Sequence, residues 1–277
     1  MNKVWLVTGA NSGFGRAIAE AAVAAGDVVV AAARRVETLD DLVAAHPDQV
    51  EALRLDVTDI PGIDLAVRDV VDRHGRIDVL VNNAGRTHIG AFEETSDKEL
   101  RDLFEVHLFG PAALVRAVLP HMRSRRSGAI VQMSSMGGQM SFAGFSAYSG
   151  TKFALEGMTE ALAGEVNPLG IKTLIVEPGA FRTSLMSNRS LSGEIDDYEP
   201  TVGATRRMAL DNGGREPGDP AKAAALVLAA LDAEDTPLHL PLGEDGVDAV
   251  LGHLDAVRGQ VEAWQTRSRA TSFSFDA

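Results

Sequence analysis

The stretch Val4-Trp5-Leu6-Val7-Thr8-Gly9-Ala10-Asn11-Ser12-Gly13-Phe14-Gly15 runs from four apolar residues into a glycine-rich turn. An alanine-rich run of helical character follows over residues 16–25, and Gly26 stops it. Strand, glycine turn and helix N-terminus together form an anion site, because free backbone N–H groups and the positive end of the helix dipole face the turn. Glycine lets the backbone approach a ligand where a Cβ would intrude. The spacing is Thr-Gly-x-x-x-Gly-x-Gly; Ile18 stands where the last glycine of the Gly-x-Gly-x-x-Gly fingerprint would fall. Taken alone, such a string also fits a plain tight turn.

Working outward, apolar runs over residues 28–33, 50–55, 77–81, 129–134 and 171–176 read as further strands, with a short last one over 238–240. Helical patterns separate them over 37–46, 63–74, 148–166 and 221–231. A long helix opens at Ser96, which is spaced from Glu99 as a capping box. Pro111 and Pro120 interrupt that helix and predict a bend or break. Alternation of this kind implies an α/β fold: one Rossmann-like, doubly wound domain over residues 1–277, with a seven-stranded parallel sheet and helices on both faces. The first and fourth strands are expected to flank the crevice where strand order reverses. Residues 184–218 read as a polar, largely irregular substrate loop with a helix over 201–209. A helix over 247–264 and a polar tail to 277, expected to be mobile, close the chain.

The net charge of −13 argues against general nucleic-acid or anionic-membrane binding. With no cysteine, disulfides and thiolate metal sites are excluded. The opening residues read as a strand rather than a signal peptide, and no apolar run approaches a membrane helix, so a soluble cytoplasmic protein is expected. His46, His74, His88, His121, His239 and His253 lack metal-ligand spacing, and no metal is expected.

The candidate functional residues stand at the carboxyl ends of strands. The second strand ends in Ala33-Arg34-Arg35, where an acid would hold a ribose 2′-hydroxyl and a base suits a 2′-phosphate. Asp56-Val57 follow the third strand and Asn82-Asn83-Ala84-Gly85 the fourth. Ser135 closes the fifth, and Tyr148 and Lys152 lie four apart at the start of the next helix. That spacing puts phenol and ammonium on one helix face, where the cation is expected to lower the tyrosine pKa and let it trade a proton with a carbonyl or alcohol oxygen.

In this order and register, Thr8-Gly9-x3-Gly13-x-Gly15, Asp56, Asn82-Asn83-Ala84-Gly85, Ser135, Tyr148-x3-Lys152 and Pro178-Gly179-x3-Thr183 resemble the short-chain dehydrogenase/reductase family. The resemblance covers residues 3–242 and implies hydride transfer between NADP(H), preferred over NAD(H), and a carbonyl or secondary alcohol. It implies a cofactor contacted by Gly9, Asn11, Ser12, Gly13, Phe14 and Gly15, by Arg34, and by Asp56 with Val57. Asn83, Ala84 and Gly85, then Pro178, Gly179, Phe181 and Thr183, complete that contact. Lys152 would hold the nicotinamide ribose and tune Tyr148, the proton carrier, while Ser135 holds the substrate oxygen. His107 stands where the family usually has an asparagine that supports a water relay; it either joins that relay or packs as a core histidine. Met136, Met140, Phe142, Phe145, Phe181, Leu185 and Met186 suit a pocket for a medium-sized or bulky apolar ketone. Family members are commonly dimers or tetramers, so a homo-oligomer is expected. Other readings are a cofactor-binding sensor without turnover, and an isomerase or dehydratase on the same fold.

Overall fold

The computed structural model describes residues 2–186, 188–211 and 214–273. Ser187 and Asn212-Gly213, read above as parts of a polar loop, and the last four residues of the tail lie outside the described residues. The strands are β1 (Val4–Thr8), β2 (Val28–Ala33), β3 (Val50–Arg54), β4 (Val79–Asn82), β5 (His88–Ile89), β6 (Gly128–Met133), β7 (Ile171–Pro178), β8 (Ser190–Leu191) and β9 (His239–Leu242). The helices are α1 (Gly13–Ala24), α2 (Asp40–Ala45), α3 (Ile60–His74), α4 (Asp97–Phe104), α5 (Gly110–Arg125), α6 (Ser146–Val166), α7 (Glu199–Asp211), α8 (Pro220–Asp232) and α9 (Glu244–Arg269).

Seven strands form one parallel sheet in the order β3-β2-β1-β4-β6-β7-β9. Strand order reverses between β1 and β4, as the alternation of elements predicts. Side chains alternate across the pleat: Trp5 and Val7 join one core with α1, α2 and α8, while Val4 and Leu6 join another with α3, α5 and α6. Both faces are therefore covered, which is why these strands read as nearly continuous apolar runs.

Two expectations change. Pro111 and Pro120 do not break the long helix. A π turn (Glu105–Phe109) joins α4 to α5, with the Gly110 N–H bonded to the Glu105 carbonyl. The wider turn leaves the residue without an N–H, Pro111, in the first turn of α5, where proline is tolerated. An 18-residue window of this 29-residue run reaches a mean hydropathy of 1.3, enough by length and composition alone to cross a membrane, but charged side chains interrupt the run and no continuous apolar stretch of about 20 residues stands there. Its Leu103, Leu114, Val115, Val118 and Met122 are buried, most of them in the core beside the sheet. Finally, the 184–218 segment is largely built: β8 pairs with β5 in a small parallel sheet, and α7 runs beyond the 201–209 helix expected.

Candidate active site

A cavity of about 850 Å³ lies along the carboxyl edge of the sheet. It extends from Ala33, Arg34, Arg35 and Thr38, past Asp56 and the glycine turn, to Ser135, Tyr148 and Lys152. Every residue assigned above to catalysis or cofactor contact lines it except Gly15. That glycine lies behind the turn, where a Cβ would sit 2.4 Å from the Gly9 carbonyl oxygen and from the Asn83 amide. Its absent side chain lets the turn close on β4. Gly9 and Gly13 have φ of +64° and +55°, a region L side chains rarely adopt.

The turn is clamped from the β4 side. Asn83 Nδ2 donates to the Thr8 and Gly9 carbonyls (2.9 and 3.2 Å), and the Asn83 and Ala84 N–H groups donate to Thr8 Oγ1 (3.0 and 3.1 Å). Asn83 therefore shapes the turn rather than offering its amide to a ligand. At the N-terminus of α1, Ser12 makes no cap bond and no acid stands in the first turn. A positive helix end with uncapped N–H groups and a cradle that Cβ atoms would fill fit the pyrophosphate of a nicotinamide dinucleotide. Asp56 is tied into its own turn, its Oδ1 accepting from the Thr58 N–H (2.9 Å) and hydroxyl (2.8 Å).

At the other end Ser135 and Tyr148 line the cavity together, and Ser135 Oγ accepts from the Gly137 N–H (3.0 Å). The Lys152 ammonium donates to the Met133 carbonyl (2.8 Å) and lies 5.8 Å from the centre of the Tyr148 ring. The expected lowering of the tyrosine pKa is not found. Burial pushes Tyr148 up to about 12, against the opposing pull of Ser135, and burial brings Lys152 down to about 8. The ammonium is engaged with a carbonyl rather than the phenol oxygen, so desolvation prevails for both groups.

His107, in the π turn, is 1% exposed and meets the Tyr148 ring edge-on at 5.6 Å. Its Nε2 accepts the Arg86 N–H (3.1 Å), which leaves the proton on Nδ1 to be donated to Thr151 Oγ1 (2.8 Å). Thr151 in turn donates to the Tyr148 carbonyl (2.6 Å). Neither ring nitrogen is left for a relay, which favours the packed reading. Burial, then the Lys152 charge, holds the ring pKa well below its ordinary 6.5. A neutral buried ring adds stability that is present above pH 6.5 and lost as pH falls toward its depressed pKa. Between pH 7.5 and 5.5 the wild type should therefore lose more unfolding free energy than His107→Asn. Denaturant titrations of both proteins check this; parallel slopes, or a shifted pH–rate profile in the variant, would restore the relay.

Met136, Met140, Phe142 and Phe145, expected at the pocket, do not line the cavity. Phe145 packs its ring 6.0 Å from Tyr148, Phe142 lies 6.4 Å from Phe145, and the 46% exposure of Phe142 places it at the surface. Phe181, Leu185 and Met186, also expected at the pocket, do line the cavity, and the 184–218 segment adds Arg189, Met208 and Ala209. His239, read as lacking metal-ligand spacing, meets two carboxylates distant in sequence. Ligating atoms of Glu156, Glu177 and His239 lie within 4.8 Å of one another. The Gln139 amide donates to both carboxylates (2.6 and 3.1 Å) and the His239 ring pairs with Glu177 (2.6 Å), while Glu177 Oε2 is buried without a hydrogen-bond partner among the described residues. Burial pushes Glu156, one helical turn from Lys152, up to about 7.

The family profile described as short chain dehydrogenase matches residues 3–192. The chain belongs to the short-chain dehydrogenase family. A short-chain dehydrogenase from Streptomyces avermitilis, known as a crystal structure, is 62% identical, with a TM-score of 0.94 and 98% of each chain covered. Oxidoreductase BOA17 of Botryotinia fuckeliana is 37% identical over 274 residues, which span 98% of this chain and 100% of the relative. A metagenomic short-chain oxidoreductase solved in complex with NADP is 30% identical (TM-score 0.67), with 86% of this chain and 95% of that one covered. This short-chain dehydrogenase is thus an oxidoreductase with the Rossmann-like fold of its family.

Proposed function

We propose that this short-chain dehydrogenase reduces a carbonyl compound, or oxidises the corresponding secondary alcohol, with NADP(H). The observation that carries the reading is the gathering of Ser135, Tyr148 and the buried Lys152 at one end of a cavity that an uncapped helix N-terminus also lines. The Gly9–Gly13 backbone and the start of α1 would hold the pyrophosphate, Arg34 the 2′-phosphate, and Thr183 with Pro178-Gly179 the nicotinamide end. When bound, the cofactor supplies or accepts the hydride. Ser135 fixes the substrate oxygen by a hydrogen bond. Tyr148, pushed up to about 12 by burial, keeps its proton through the neutral range and gives it to that oxygen as negative charge develops there. Lys152, buried in the same pocket, stabilises the phenolate that remains. The relative solved with NADP supports the cofactor choice.

The test mixes purified protein with NADPH and a panel of ketones and aldehydes, following cofactor absorbance and carbonyl loss together. Matched consumption of both supports the reading. NADPH that binds and is never consumed would make the protein a sensor, and product without net cofactor oxidation would make it an isomerase or dehydratase.

A further inference from the structure

The small β5–β8 sheet brings two arginines to the tyrosine end of the cavity. Its register pairs His88 with Ser190 and Ile89 with Leu191, and the Ser190 N–H donates to the Thr87 carbonyl (3.0 Å). His88 pins the two strands through Ser190 Oγ and Ser192 Oγ, both at 2.9 Å. One step back along this register Thr87 stands beside Arg189, with Arg86 the next residue before it. Both arginines line the cavity. The Arg86 N–H is bonded to the His107 ring that packs on Tyr148, and Arg189 Nη1 donates to the carbonyl of Met186 (2.6 Å), which packs against Tyr148 and its neighbours.

Neither guanidinium has a close carboxylate of its own. Among the described residues Arg189 has no carboxylate partner, while Arg86 has Asp102 at 3.9 Å, an acid already held by Lys98 at 2.7 Å, and acts on Glu99 by its charge alone. The Nε of each is buried without a hydrogen-bond partner among the described residues. In a chain with 39 acidic and 26 basic side chains, two under-paired cations lining one cavity are conspicuous. A buried N–H without an acceptor costs free energy, and an anion relieves that cost at both.

We propose that the substrate of this dehydrogenase carries a carboxylate or phosphate near its reacting carbonyl, and that Arg86 and Arg189 hold this anion while Met186, Met208 and Ala209 pack its carbon chain. The proposal rests on the reading of Ser135, Tyr148 and Lys152 as the carbonyl site and narrows the apolar-ketone expectation to an amphiphile.

The experiment uses matched sets: an oxo-acid, its methyl ester, and the corresponding oxo-alkyl phosphate. Kinetics with NADPH are measured on wild type, Arg86→Gln and Arg189→Gln, after melting temperatures confirm that each variant is folded. Calorimetry measures binding of the oxo-acid to the protein–NADP⁺ complex, and of NADPH to the free protein. The expected result is a lower KM for the anions than for the ester in wild type. Each variant should raise the anions' KM roughly 5- to 10-fold and weaken oxo-acid binding alike, with ester KM and NADPH affinity unchanged. Equal use of acid and ester by wild type overturns the proposal and leaves the carbonyl site standing. Loss of NADPH affinity in the variants also overturns it, because the arginines then serve the cofactor. Arginine-dependent oxo-acid binding without turnover of any compound would uphold the anion site and sink the reading of the carbonyl site.

Discussion

Tyr148→Phe is expected to bind NADPH as the wild type does and to turn over roughly a hundred to ten thousand times more slowly, the range a positioned general acid contributes. The substitution removes one hydroxyl and keeps the ring. The edge-on contacts to His107 (5.6 Å) and Phe145 (6.0 Å) persist, so the fold and the cavity wall should survive. What disappears is the proton donor and its interaction with Ser135. The loss should therefore fall on kcat, with cofactor affinity by fluorescence titration nearly unchanged. Lys152→Met should injure both quantities, because the lysine is expected to touch the ribose as well as stabilise the phenolate. The direction of pH dependence follows from the raised tyrosine pKa. Carbonyl reduction, which needs the protonated phenol, should not fail through tyrosine ionisation near neutral pH, whereas alcohol oxidation, which needs the phenolate, should climb as pH rises above about 7. Near-normal kcat in Tyr148→Phe would remove the tyrosine from the chemistry.

Features written in local spacing were legible in the sequence. The Thr8–Gly15 turn, the Tyr148–Lys152 interval and the Ser96–Glu99 capping box each lie within one strand–turn–helix or one helical turn, and all three appear in the structure. The reversal of strand order between β1 and β4 followed from the alternation of elements. Features made by tertiary contact were not legible. Gln139, Glu156, Glu177 and His239 converge from four separate segments, and no spacing rule joins them. The β5–β8 pair consists of two-residue strands 102 residues apart, too short for periodicity to register, so the placing of Arg86 and Arg189 on one cavity was invisible. The direction of the Tyr148 shift was misjudged for a related reason. Helical spacing gives the distance between side chains, but burial and the carbonyl that engages Lys152 are set by β6, from elsewhere in the chain. The occupation of both His107 nitrogens likewise depends on the Arg86 backbone, which follows β4.

Arg34→Ala should weaken NADPH binding and leave NADH binding almost untouched. The two cofactors differ by one phosphate on the adenosine ribose, so a residue that meets only this group should discriminate between them and do nothing else. Ala33, at the end of β2, is buried and apolar; it offers no acceptor to a 2′-hydroxyl and no charge to repel a phosphate. Arg34 follows it, exposed and lining the cavity, and its backbone carbonyl is fixed by Arg54 Nη1 at 3.4 Å. Among the described residues no carboxylate pairs with Arg34 or Arg35, so either guanidinium is free to fork onto phosphate oxygens. A charge-assisted hydrogen bond is worth roughly 1.5–3 kcal/mol, or about 10- to 150-fold in affinity. Solvent screening of an exposed side chain pulls the expected loss toward the lower end, about tenfold, and makes it shrink further as salt is raised. Titrating wild type and variant with each cofactor, at low and high salt, measures all four terms of the comparison. Equal affinity of the wild type for NADH and NADPH would leave Arg34 and Arg35 as surface charges and return the cofactor assignment to NAD(H).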